Sequence, residues 1–305
     1  MDKVIYLFLA FAFAGINAVP VDRPSGRISN GVVAGNAVAF PYAVSIQLAT
    51  AANLLLDTRG HMCGGVLITL QHVLTAGSCT YTWGTGNTMI PIVANQYRVF
   101  AGASMLTNDT TNHVRAVVNY TLHPEHLPVP AHLNDIAVMT LISPFGASFV
   151  TPLSLPSNDF YPSDETRCTV AGWGAPSYSA TQMSSQLRYM TKYIYNQDLC
   201  RSLYNSAAGI TNLLSSMVCA ASYDIISSGC YGDEGNALVC GNTLTGISFL
   251  NGDCQVTSYP ELYTRVSNYT TWIRSVTGSA SVIKPGLFAL ALFTIVHAAV
   301  QKVFA

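Results

Sequence analysis

The residues best equipped for chemistry in this chain are its thiols. Eight cysteines are present, Cys63, Cys79, Cys168, Cys200, Cys219, Cys230, Cys240 and Cys254. No two of them have the C-x₂₋₄-C spacing of a zinc knuckle, and an even set points instead to disulfides made in an oxidising compartment. Spacing alone leaves the connectivity open. Three sequons, beginning at Asn108, Asn119 and Asn268, would accept N-linked glycans where exposed. Lys and Arg total 14 against 15 Asp and Glu, a formal net charge of −1. Such a balance supplies no cationic face, so nucleic acid is not expected as a partner.

The elements that must position these residues read as short strands. Half of the 305 residues are hydrophobic and 10% are charged, which suits a folded domain rather than a disordered chain. Short apolar or alternating runs occur at Val44–Leu48, Val66–Leu70, Tyr97–Phe100, Ile136–Leu141, Thr169–Ala171, Leu238–Val239 and Gly246–Phe249. Gly, Asn, Ser and Pro clusters separate them. One helical pattern, Tyr269–Val276, closes the series. Many short strands over this length favour a barrel or a sandwich, and no internal repeat is visible.

Both ends differ in texture. Residues 1–18 read as a signal peptide, with Lys3 before the apolar run Val4–Ala14 and Ile16-Asn17-Ala18 as the cleavage site. Residues 19–27, with Pro20 and Pro24, have the character of a removable pro-segment. Residues 278–305 join a small-residue spacer (Gly278-Ser279-Ala280-Ser281) to the apolar stretch Leu287–Val300. At fourteen residues that stretch is shorter than the roughly 20 of an ordinary spanning helix. A GPI-attachment signal and a short membrane anchor both remain open as readings of the tail.

Four stretches bring a family into view. Arg27-Ile28-Ser29-Asn30-Gly31 resembles the activation junction of trypsin-like zymogens. Cys63-Gly-Gly-Val-Leu-Ile68, followed by Val73-Leu-Thr-Ala-Gly-Ser-Cys79, resembles the segment that carries the catalytic histidine. Asn134-Asp135-Ile136-Ala137 resembles the aspartate segment, and Gly229-Cys-Tyr-Gly-Asp-Glu-Gly235 the nucleophile loop. The chain from 28 to 277 is thereby similar to the trypsin/chymotrypsin-like serine proteases. The resemblance implies an all-β fold, two six-stranded antiparallel β-barrels with a C-terminal helix. It also implies disulfides Cys63–Cys79, Cys168–Cys240, Cys200–Cys219 and Cys230–Cys254, and neither cofactor nor metal.

Against the family's triad, two members are missing. Asp135 stands where the orienting carboxylate belongs, but Ser78 occupies the histidine position and Glu234 the nucleophile position. Serine has no group that titrates near neutral pH and cannot serve as the general base. A glutamate beside the oxyanion hole opposes the charge that develops in the transition state. Loss of one triad member in this family costs roughly 10⁴- to 10⁶-fold in rate, so the expectation is a non-catalytic homologue. His61, His72, His113, His123, His126 and His132 are read as packed or surface residues rather than replacement bases. A cation between Asp135 and Glu234 would have too few ligands.

The resemblance also locates a substrate pocket. Ser228 is its base, Ser248 and Leu250 lie on one wall, and Glu261 on the other. Leu250 and Glu261 replace glycines and are expected to narrow or plug it. Three features are retained: the oxyanion-hole donor Gly232, Ser248 in a position to bond Asp135, and Asp233, the salt-bridge partner for the ammonium that cleavage between Arg27 and Ile28 would release. The resulting expectation is a secreted or surface-attached protein, converted by a trypsin-like protease and acting by binding a protein partner or a protease inhibitor. The alternative is an active peptidase of chymotrypsin-like specificity with non-standard catalytic residues.

Overall fold

The structure is a computed structural model. It describes residues 31–278 except 36–38, 129–131, 178, 208–212, 224–226, 251–253 and 255–258. Residues 1–18, Arg27, Ile28 and the tail from 279 lie outside the described residues.

Among the described residues fifteen strands and two α-helices follow in chain order. The strands are β1 (Val32–Val33), β2 (Ala43–Leu48), β3 (His61–Leu67), β4 (His72–Thr75), β5 (Tyr81–Trp83), β6 (Met89–Pro91), β7 (Tyr97–Ala101) and β8 (Val114–Leu122). The series continues with β9 (Ala137–Leu141), β10 (Arg167–Gly172), β11 (Arg188–Ile194), helix α1 (Gln197–Ala207), β12 (Met217–Ala221), β13 (Ala237–Cys240), β14 (Thr243–Leu250), β15 (Glu261–Arg265) and helix α2 (Thr270–Val276).

Two antiparallel barrels result. One closes in the order β2-β3-β4-β9-β8-β7. The other runs β11-β10-β13-β14-β15-β12, closed by pairing of β11 with β12, and β1 adds to its β11. Closure leaves neither barrel with an open edge, and alternate residues of every strand point inward. Val44, Ile46, Leu74, Val99 and Val138 fill the first barrel. Val170, Met190, Ile194, Val218, Leu238 and Tyr263 fill the second. Phe100, Leu106, Ala171, Trp173 and Leu187 pack as one buried seam between them, with Trp173 Nε1 donating to Ser104 O at 2.9 Å.

The elements not expected from sequence include a hairpin and a helix. The β5–β6 hairpin follows Ser78 directly and carries exposed Trp83 and Ile90. Helix α1 is polar except for an inner face with buried Cys200 and Tyr204, and Asn196 caps it. Its Oδ1 accepts from the N–H groups of Asp198 and Leu199 at 3.1 and 3.0 Å. The disulfides are Cys63–Cys79, Cys168–Cys240, Cys200–Cys219 and Cys230–Cys254, the pairs the resemblance implies, and the third ties α1 to β12. Asn108, Asn119 and Asn268 are all exposed, as glycan attachment requires. Among the described residues no helix is long and apolar enough to cross a membrane.

Candidate functional site

Ser78 sits in the tight turn Gly77–Thr80 that leaves β4, and the Cys63–Cys79 disulfide pins that turn to β3. Its backbone N–H donates to Asp135 Oδ1 at 2.7 Å. Gly77 permits the approach, because a Cβ there would lie 3.0 Å from the same oxygen and 2.7 Å from Leu122. The Ser78 hydroxyl is enclosed and completes no hydrogen bond of full geometry among the described residues. Asp135 itself is 2% exposed, and Thr264 Oγ1 donates to its carbonyl at 2.8 Å. Burial raises its pKa above the usual carboxylate range, while the Ser78 N–H and the fields of His126 and His132 oppose the rise.

The histidines are engaged elsewhere. His72 meets Thr69 Oγ1 at 2.8 Å, His113 the Ala101 carbonyl at 2.9 Å, and His126 the Tyr81 hydroxyl at 3.2 Å. His123 packs on Trp272 and His132 on Phe249. His61 is buried and its pKa falls to about 4, chiefly through desolvation, so its ring is neutral. Its Nε2 lies 3.0 Å from Gly232 O, an atom that can only accept, so Nε2 carries the proton. Nδ1 is then the acceptor for Ser45 Oγ at 2.7 Å.

That contact fixes one end of Gly232, and Glu234 fixes the other. The Gly232 N–H donates to Glu234 Oε2 at 2.9 Å. The resemblance assigns this N–H to the oxyanion hole, so a carboxylate oxygen already occupies the donor meant for a transition-state oxygen. The turn is held from behind, since Gly64 N–H donates to Glu234 O at 2.7 Å. Gly235 has φ +87°, and a Cβ there would stand 2.3 Å from Gly64 O. Only glycine fits that position.

Asp233 points the opposite way, into the seam behind the loop. Gly174 N–H and Asn236 Nδ2 donate to its Oδ1 at 3.1 and 2.8 Å, and Cys230 N–H donates to Oδ2 at 3.0 Å. These donors are neutral, and burial lifts its pKa to about 7. A carboxyl whose folded pKa lies above its unfolded value of 3.8 contributes stability that is full below that value and is lost as pH rises towards 7. The intact chain is therefore expected to lose stability between about pH 4 and pH 7, at up to about 1.4 kcal/mol per pH unit from this group. Urea titrations across that range check it. Asp233→Asn should flatten the dependence, and an unchanged slope would contradict the assignment.

The pocket holds a charge pair that sequence reading missed. Glu261, at the start of β15, is 4% exposed and faces Lys192 of β11, which is 2% exposed. Lys192 Nζ donates to Glu261 Oε1 and to Ser227 O, each at 2.8 Å. The Gly229 N–H donates to the same Oε1 at 2.7 Å, and Tyr263 Oη to Oε2 at 2.5 Å. The carboxylate thus has three donors, at the position the resemblance gives to the pocket wall. Ser228, beside it, is buried and its hydroxyl has no hydrogen-bond partner among the described residues. Ser248 pairs with Tyr263 across β14 and β15, and Leu250 pairs with Leu262. A signal for Lys192 was present: it shares the inward phase of β11 with Met190 and Ile194. Among the described residues no group of three or more His, Cys, Asp or Glu could hold a metal.

A family model described as Trypsin matches residues 29–273. Human granzyme M is 33% identical over 246 residues, covering 79% of this chain and 86% of that protein. Trypsin beta of Drosophila erecta is 28% identical over 278 residues, 90% of this chain and 98% of that protein. Among solved structures, human heparin binding protein superposes with a TM-score of 0.63 at 25% identity, covering 81% of this chain and 96% of the other. Neuropsin, titled a serine protease of mouse brain, superposes with a TM-score of 0.62 at 25% identity, covering 78% and 94%.

Proposed function

The chain belongs to the trypsin family, and from that membership and the cleft just described we propose that it acts by binding another protein, not by cutting one. The observation that carries this reading is the Glu234 carboxylate on the Gly232 N–H. Three things the family's reaction needs are compromised at once. The base position holds Ser78, the attacking position holds a carboxylate, and that carboxylate takes up a donor reserved for the oxyanion. Glu261 at the pocket wall adds a fourth obstacle, because it stands where a substrate side chain would anchor.

The proposal includes removal of residues 1–18, cleavage between Arg27 and Ile28 by a trypsin-like protease, and a secreted or surface-tethered product with glycans on its exposed sequons. The four disulfides support an oxidising destination. The heparin binding for which one structural neighbour is named is not carried over, because a formal charge of −1 offers a polyanion little attraction. The partner is a protein whose contact does not depend on a side chain driven into the pocket.

A fluorophosphonate probe tests the reading directly. Neither the intact nor the Arg27-cleaved protein is expected to be labelled, at Ser78 or elsewhere. Labelling that is blocked by a peptide substrate would sink the proposal in favour of a peptidase with altered machinery, as the protease names among the relatives suggest.

A further inference from the structure

Asn236, one of the donors to Asp233, is 1% exposed and sits directly behind the cleft loop. Its Nδ2 reaches Asp233 Oδ1 at 2.8 Å, its N–H donates to Asp233 O at 3.1 Å, and its carbonyl accepts from Ser248 N–H at 2.9 Å. Space for the side chain exists because two facing positions are glycine. A Cβ on Gly64 would lie 1.7 Å from Asn236 Oδ1, and one on Gly172 would lie 2.0 Å from Nδ2. Gly64 belongs to β3 of one barrel and Gly172 to β10 of the other. A Cβ on Gly174 would meet the Asp233 carboxyl at 2.3 Å. The amide and the carboxyl therefore share a cradle that both barrels build.

We propose that Asn236 is the positioning residue of the 229–235 loop in the intact chain. Its amide holds the Asp233 side chain in the seam, a task the family leaves to the ammonium released by activation. The Gly232–Glu234 surface is then assembled before any cleavage, and cleavage supplies charge instead of shape. Hydrogen bonding and charge compensation are separate requirements of a buried carboxyl. Asn236, Gly174 and Cys230 meet the first. They do not meet the second, in keeping with the raised pKa of Asp233. As to what the surface is for, the proposal rests on the binding reading, but its own test does not use a partner.

Amide hydrogen exchange of residues 229–235 at pH 7 provides that test, with an uncleavable Arg27→Gln chain compared against protein cleaved after Arg27. The two should show loop protection equal within a factor of about three, while the cleaved form melts at a higher temperature. Asn236→Ala should lose at least tenfold protection in the intact chain and regain it on cleavage, when the ammonium takes over. Cleavage that raises wild-type loop protection tenfold or more would overturn the proposal. So would Asn236→Ala that loosens both forms alike, since that is the mark of a mere cavity. If Asn236→Ala does not fold, the wild-type comparison decides alone. Capture of a partner, or its failure, bears on the binding reading and leaves this result untouched.

Discussion

A chain carrying Ser78→His together with Glu234→Ser is expected to react with a fluorophosphonate at residue 234 and still to turn over no aromatic peptide substrate. The double change returns an imidazole beside Asp135 and a hydroxyl beside it, and it releases the Gly232 N–H from the carboxylate that now holds it. A small phosphonylating probe needs only those groups. A peptide needs its side chain anchored as well, and on the proposed reading the Glu261 carboxylate with its three donors obstructs that anchor. Adding Lys192→Met and Glu261→Gly removes the pair and the obstruction together. Turnover, measured as kcat/KM on a chromogenic phenylalanyl amide, should then rise at least about 100-fold over the two-residue variant. Triad restoration is the larger effect, roughly 10⁴- to 10⁶-fold by family precedent, but it is visible only once the pocket is open. Full turnover by the two-residue variant would show that Glu261 does not govern the pocket.

The second large effect is on stability. Lys192→Met alone is expected to cost about 3–5 kcal/mol, because it strands Glu261 inside the barrel with no compensating charge. Lys192→Met with Glu261→Gln should recover most of that loss. An amide carries no charge to desolvate, and its oxygen can still accept from the Gly229 N–H. Tyr263 Oη is the remaining difficulty, since it donates to Oε2 and burial together with Glu261 holds its own pKa far above the usual value. Urea unfolding of the two single variants and the double variant gives the coupling energy directly. A coupling below about 1 kcal/mol would mean that the pair is incidental to the fold.

Much of the architecture was readable because closed antiparallel barrels need short apolar strands at regular spacing. The run at Tyr97–Phe100 lies within β7 and that at Gly246–Phe249 within β14. The C-terminal pattern at Tyr269–Val276 became α2 with Ile273 buried. Strands β8 and β11 were passed over for one physical reason. Each carries polar or charged residues inside its span, Arg115 and Asn119 in the first and Arg188 and Lys192 in the second. A sequence reader scores a lysine as solvent-facing, whereas barrel closure places every second residue inside, whatever its type. Helix α1 was missed because its composition is polar on average, although its inner face buries Cys200, bonded to Cys219, and Tyr204, whose hydroxyl donates to Pro260 O.

For the site, the sequence by itself determined which groups exist: a hydroxyl at 78, a carboxylate at 135 and another at 234, with the cysteines and glycines that shape the turns between them. That no histidine stands at 78 and no serine at 234 follows from residue types alone. Where each group points was decided only in three dimensions. The His61–Gly232 contact joins residues 171 apart in sequence, and Lys192–Glu261 joins residues 69 apart. Such partners meet because each barrel closes and the two pack along one seam, and no local pattern encodes that meeting. Thus the replacement of two triad residues was legible in Ser78 and Glu234. The occupied oxyanion donor, the charge pair under the pocket and the amide behind Asp233 emerged from packing, where a buried polar group must find its partner wherever the fold provides one.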